Sequence, residues 1–124
     1  MANEIPFRRF GRTGISMPVL SLGGMRFQQS WSDLGKDKIT YENQQNLEKT
    51  LRLATQLGFH HIETARHYGT SELQLGWGMQ QFPNSKRILQ TKIPPRKDPS
   101  QFEFELECSF SKLQCNKLDL LSIH

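Results

Sequence analysis

Apolar and polar positions change their period several times along the chain, and each change marks an element. In "PFRRFGRTGISMPVL", Phe7 and Phe10 precede a turn over Gly11–Gly14, and Ile15, Met17 and Val19 then alternate with other residues. This is a hairpin pattern spanning residues 5–19. "VLSLGG" reads as a short strand broken by Gly23 and Gly24, and "QQSWSDLGKDKI" as a polar loop. From Thr40 or Tyr41 the period lengthens. Leu47, Leu51, Ala54 and Leu57 recur at near-helical spacing, with Gly58 where a C-terminal cap belongs. "FHHIE" is a strand, and "SELQLGWGM" a helix capped by Thr70 or Ser71, with Glu72 in its first turn. "RILQTK" is a strand, and the prolines of "IPPRKDPS" force a loop. "QFEFELECSFSKL" places Phe102, Leu106, Phe110 and Leu113 on one helical face, and "KLDLLSIH" closes the chain as a strand.

A hairpin followed by strands alternating with helices implies an α/β fold with a parallel sheet under helices. The inner strands are expected to be apolar on both faces. A doubly wound sheet and a (β/α)8 TIM barrel both satisfy this order. The first strand-to-helix junction separates them. A dinucleotide-binding Rossmann fold requires G-x-G-x-x-G there, whereas this chain has the long loop "GGMRFQQSWSDLGKDK".

Composition narrows the class. At 124 residues, 35% hydrophobic and 23% charged, the chain has the make-up of one ordinary globular domain. No apolar run approaches the ~20 residues of a membrane span, and Met1–Phe10 lacks the apolar core of a leader peptide. Two cysteines without a CxxC pair fit free thiols in a reducing cytoplasm rather than a disulfide or zinc scaffold. They are also too few for an iron–sulfur cluster. The net charge of +4 is scattered, so no nucleic-acid footprint is expected.

The titratable groups fall in a pattern. Glu63 ends the second parallel strand, Tyr68 lies in the loop after it, Lys92 ends the third and His124 the fourth. In a barrel all these strand ends face one rim, where active sites sit. Alternation pairs His61 with Glu63, Gln90 with Lys92 and Ser122 with His124 on one face. A phenol has an unperturbed pKa near ~10 and is a poor acid at neutral pH, while a neighbouring cation favours its phenolate. A carboxylate that holds the lysine, and a histidine that binds a carbonyl or relays a proton, complete a tuned general acid.

The motifs "SLGGMRF", "HHIETARHYGTSELQLG", "LQTK" and "LDLLSIH" together resemble the aldo/keto reductases, and the likeness runs from "FGRTGISMPVLSLGGM" to the last residue. The resemblance implies a (β/α)8 barrel whose bottom is closed by an N-terminal hairpin, with residues 1–124 as its N-terminal half. It also implies NADPH-dependent reduction of an aldehyde or ketone. Position by position, Glu63, Tyr68, Lys92 and His124 match the family's catalytic aspartate, tyrosine, lysine and histidine, with Tyr68 as proton donor. Gly24 and Met25 match the loop that touches the nicotinamide, alongside Glu63. "GGMRF" and "IETARHYGTSE" are most similar to a bacterial branch that often carries a C-terminal iron–sulfur extension. Two departures stand out: glutamate replaces the usual aspartate, and the sequence reaches only the fourth strand of a barrel that takes roughly 250 residues.

Simpler readings stand beside these. His60, His61 and His67 with Glu63 form a candidate metal cluster, but strand-to-loop spacing does not preset a tetrahedral site. His61 is better read as an inward-facing histidine and His67 as loop surface. Trp31 either lines a substrate pocket or forms an aromatic patch on a loop. Cys108 reads as a small buried hydrophobe. The expected partner is a small-molecule carbonyl substrate, with no nucleic acid and no membrane. Four strands alone leave open edges and an exposed apolar inner face, which favour self-association or pairing with another half-barrel. The 124 residues by themselves are expected to be catalytically incomplete.

Overall fold

A computed structural model describes residues 5–124. Residues 1–4, part of the stretch read as carrying no leader, lie outside the described residues. A hairpin pairs β1 (Phe7–Arg9) with β2 (Ser16–Pro18) antiparallel, Arg8 opposite Met17. Then follow β3 (Ser21–Gly23), α1 (Tyr41–Gln56), β4 (His61–Glu63), α2 (Ser71–Gln81), β5 (Ile88–Ile93), α3 (Pro99–Leu113) and β6 (Leu120–Ile123). The four later strands form one parallel sheet in the order β3-β4-β5-β6. Each new strand adds beside its predecessor, so the order never reverses as it does at the switch point of a doubly wound sheet. This is the first half of a (β/α)8 barrel.

Local chemistry sets the helix ends. The Thr40 hydroxyl accepts from the Asn43 amide at 3.3 Å to cap α1, and Gly58, at φ +86°, carries the left-handed turn after it. Asp98 caps α3 by accepting from the Ser100 amide at 2.9 Å, with Pro99 at the first helical position. Thr70 occupies the cap position of α2 but makes no side-chain cap bond. Its hydroxyl instead accepts from the Gln29 amide of the first loop at 2.9 Å and donates to the Gln74 side chain one turn on at 2.7 Å.

The core lies between the sheet and the helices. Leu47, Leu51, Ile62, Leu75, Met79, Leu89 and Leu113 form one buried cluster. Each such leucine removes enough apolar surface from water to contribute ~1.5–3 kcal/mol. Leu57 does not join the stripe: at 52% exposure it lies past the end of α1, where the turn at Gly58 redirects the chain.

The inner face of the sheet departs from the expectation of strands apolar on both faces. Ser21 Oγ meets His61 Nδ1 at 2.7 Å, His61 Nε2 meets Gln90 Oε1 at 2.9 Å, and Gln90 Nε2 donates to Ser122 at 2.7 Å. One polar ladder thus crosses all four strands. Exposed apolar side chains lie on the helix side of β6 instead, at Leu121 (43%) and Ile123 (66%). Among the described residues, no helix is long and apolar enough to cross a membrane.

Burial holds the His61 imidazole below the usual histidine range, against the Gln90 hydrogen bond and the charge of Glu63, which favour the protonated form. A lowered folded-state pKa contributes stability that is complete above about 6.5, the unfolded value, and is lost as pH falls toward the folded value. The thermal midpoint should therefore drop between pH 7.5 and pH 5 more steeply in the native chain than in His61→Gln. Parallel pH curves for the two proteins would refute this assignment.

Candidate active site at the strand ends

Glu63 closes β4 and Lys92 is the penultimate residue of β5, so both side chains leave the C-terminal edge of the sheet on its inner side. They form an ion pair, and Lys92 Nζ also donates to the Thr64 carbonyl at 3.0 Å. The extra methylene of a glutamate at position 63 therefore does not prevent the contact. Lys92 is 16% and Glu63 30% exposed in side-chain surface, a shielded but not dry setting.

Tyr68 is delivered by a tight turn. Its amide donates to the Ala65 carbonyl at 3.1 Å, its carbonyl accepts from the Ser71 amide at 2.9 Å, and Gly69 supplies the φ of +51° that sends the chain into α2. Lys92 Nζ sits 4.7 Å from the centroid of the phenol ring, within cation–π range. The His124 ring meets the Tyr68 ring edge-on, with centroids 5.5 Å apart at 89°. His124 follows β6, and its amide is tethered to the Ile93 carbonyl at 3.0 Å. Glu63, Lys92, Tyr68 and His124 are thus brought together, one neighbour to the next.

Gly24 is buried beside them. Its amide donates to the Glu63 carbonyl at 2.6 Å, and a Cβ there would lie 2.7 Å from that same oxygen. Only glycine lets the first loop lie this close to β4. Its carbonyl accepts from Ser71 Oγ at 2.8 Å, while Met25 is 38% exposed at the rim.

The three histidines of the metal reading part company. His60 contacts Asn84 at 3.2 Å, His61 belongs to the ladder, and His67 is exposed with Arg96 at 3.4 Å. Among the described residues, no group of three or more His, Cys, Asp or Glu side chains is placed to hold a metal. Trp31 and half-buried Cys108 line a cleft of about 650 Å³ with Asp33, Arg66, His67 and Phe104. Neither Tyr68 nor Lys92 lines it.

Sequence reasoning missed the charge network behind the site. Arg66 Nη1 donates to Glu72 at 2.8 Å, Nη2 pairs with Asp33, and Glu72, fully buried, also accepts from Thr91 at 2.7 Å. Burial disfavours the Arg66 charge, but its bonds to Glu72 and Asp33 prevail and raise its pKa. Burial likewise opposes the Asp33 carboxylate, yet Lys112 and Arg66 hold it below the usual range. Glu72 reads locally as a first-turn charge favouring the helix dipole. The only hint of more was an arginine and a glutamate straddling the "RHYGTSE" turn.

Comparison with known proteins agrees with this architecture. A family profile described as the aldo/keto reductase family matches residues 19–124. No curated protein sequence gives a significant match. Among solved structures, a protein of Pseudomonas aeruginosa assigned to the aldo-keto reductases shares 25% identity and superposes with a TM-score of 0.77, over 95% of this chain and 45% of that one. A thermostable aldo-keto reductase in complex with the inhibitor epalrestat shares 26% identity at a TM-score of 0.75, over 95% and 42%. An aldo-keto reductase from Klebsiella pneumoniae in complex with NADPH shares the fold at 20% identity and a TM-score of 0.73, over 96% and 39%. The chain thus spans less than half the length of these relatives. It belongs to the aldo/keto reductase family.

Proposed function

We propose that this half-barrel carries the proton-donating side of an NADPH-dependent reduction of an aldehyde or ketone, performed in a complete barrel. The observation behind this reading is the convergence of Glu63, Lys92, Tyr68 and His124 at one rim. Tyr68 donates the proton to the carbonyl oxygen as negative charge develops there. Lys92, held by Glu63 and the Thr64 carbonyl, keeps a positive charge against the phenol. His124, at the edge of that ring, orients the carbonyl. Gly24 and Met25, with Glu63, are the residues that would border the nicotinamide. A Cβ on Gly23 would meet nothing within 4 Å, so the strand end beside them leaves room for a flat ring. The cofactor, when bound, supplies the hydride. A complete barrel containing these residues should consume NADPH, followed at 340 nm, when offered simple aldehydes. No consumption across aliphatic and aromatic aldehydes and ketones would reject the assignment.

A second reading concerns the 124 residues by themselves, and the coverage of only 39–45% of the relatives favours it. On this reading the chain alone lacks turnover and needs a partner, a second copy or another half-barrel, to complete the rim. The exposed Leu121 and Ile123 on β6 support such pairing. NADPH titrated into the isolated chain should give only weak, non-saturating enhancement of nicotinamide fluorescence at micromolar concentrations. Stoichiometric binding by a monomer would contradict it.

A further inference from the structure

We propose that Arg66 is a positioning residue for Tyr68: its guanidinium grips Glu72 and Asp33 at once, fixing the turn that bears the phenol and tying the loop after β3 to it. This rests on the reading of Tyr68 as proton donor.

Arg66 lies within the turn between Glu63 and Tyr68, and its side chain is only 10% exposed. Its amide donates to the carbonyl of Lys92 at 2.9 Å. Its Nη1 reaches Glu72, which accepts from Thr91, the residue before Lys92. The turn is therefore attached to β5 twice, once through backbone and once through a buried carboxylate. Both attachments flank the lysine that stands over the Tyr68 ring. The other arm meets Asp33, whose second oxygen accepts from Lys112 Nζ at 2.7 Å. A planar guanidinium held by two carboxylates has little rotational freedom, which a lysine ammonium cannot reproduce.

The loop after β3 is locked to the same turn. The Thr70 amide donates to the Ser30 carbonyl at 3.0 Å, and a Cβ on Gly69 would lie 2.6 Å from Trp31 Cα. Asp33 sits two residues beyond Trp31, so the Arg66–Asp33 pair holds the Trp31 segment and the Tyr68 turn as one body. The half-buried pair therefore links the turn of the proposed proton donor to this loop.

The test uses aromatic NMR of the 124-residue chain. Its two tyrosines are Tyr68 and Tyr41, the latter 80% exposed on α1 and an internal reference. Native protein should show a through-space cross-peak between the Tyr68 and His124 rings. Removing Arg66 alone would strand the Glu72 charge, so the main variant is the double Arg66→Met/Glu72→Gln, in which glutamine can still bond Thr91. With the sheet intact by circular dichroism, this variant should lose the cross-peak severalfold, and Arg66→Lys should recover only part of it. Native cross-peak intensity in a folded double variant would overturn the proposal. If both Arg66 variants unfold, Asp33→Asn decides, because Asp33 is 46% exposed in side chain and leaves no buried charge behind. Its Trp31 indole and Tyr68 ring signals should shift together while Tyr41 stays. A shift confined to Trp31 would refute the coupling. Neither readout depends on carbonyl reduction, so failure of the reductase assay remains a separate outcome.

Discussion

Tyr68→Phe, placed in a complete barrel, should lower carbonyl reduction by roughly 10²–10⁴ while leaving NADPH affinity largely unchanged. The substitution deletes one oxygen and keeps the ring. The Lys92 contact to the ring face and the edge contact to His124 both survive, because both are made by the ring itself. What is lost is the proton available to an oxygen that gains charge. General acid catalysis is worth on the order of 10²–10⁴ in rate, or about 3–5 kcal/mol of barrier. The fall should therefore appear in kcat, with little change in KM. Fluorescence titration of NADPH into the variant separates lost chemistry from lost binding. Unchanged turnover would remove Tyr68 from the mechanism, and the reading of Lys92 and Glu63 as its supports would fall with it.

Gly76→Ala should lower the thermal stability of the chain, against what helix propensity alone predicts. Alanine is favoured over glycine inside a helix by about 1 kcal/mol. At position 76, however, a Cβ would come within 2.8 Å of Leu113 Cα, at the end of α3. The obstacle is backbone, which cannot rotate away as a side chain does. Relief requires α2 and α3 to separate, and that loosens the contacts of Leu75 and Leu113, both fully buried. Overpacking costs typically ~1–3 kcal/mol and exceeds the propensity gain here. Thermal unfolding by circular dichroism should show a midpoint several degrees below native. An equal or higher midpoint would mean that the helices do not approach as closely as described. Gly78 is a milder case: its Cβ would meet the flexible ends of Leu47 and Leu51 at 2.8 and 2.9 Å, which can yield.

Both predictions depend on features of different legibility. The hairpin, the βα alternation and the positions of Glu63, Lys92 and His124 at strand ends could be read from the chain, because turn residues and period-two or helical spacing are local signals. The start of α1 near Thr40 and its end before Gly58 were likewise local signals. The cap of α2, expected at Thr70 or Ser71, is not made by the Thr70 hydroxyl, which is spent on Gln29 and Gln74. Leu57 kept the helical spacing but not the burial. The polar ladder through His61 and Gln90 replaced an expected apolar inner face, although the alternation that puts those residues inward was correct.

By itself, then, the sequence determined the order of elements, the edge of the sheet that carries the titratable groups, and the family signature. These follow from neighbours a few residues apart, whose preferences act before any tertiary contact forms. Tertiary structure alone decided which groups meet. Ser21 finds His61 forty residues away, and Asp33 finds Lys112 seventy-nine residues away. It also decided that Glu72 is a buried counter-ion rather than a helix-end charge, and that Gly76 is the point where two helices touch. Such facts depend on the distance between elements once packed, a quantity that no local period encodes.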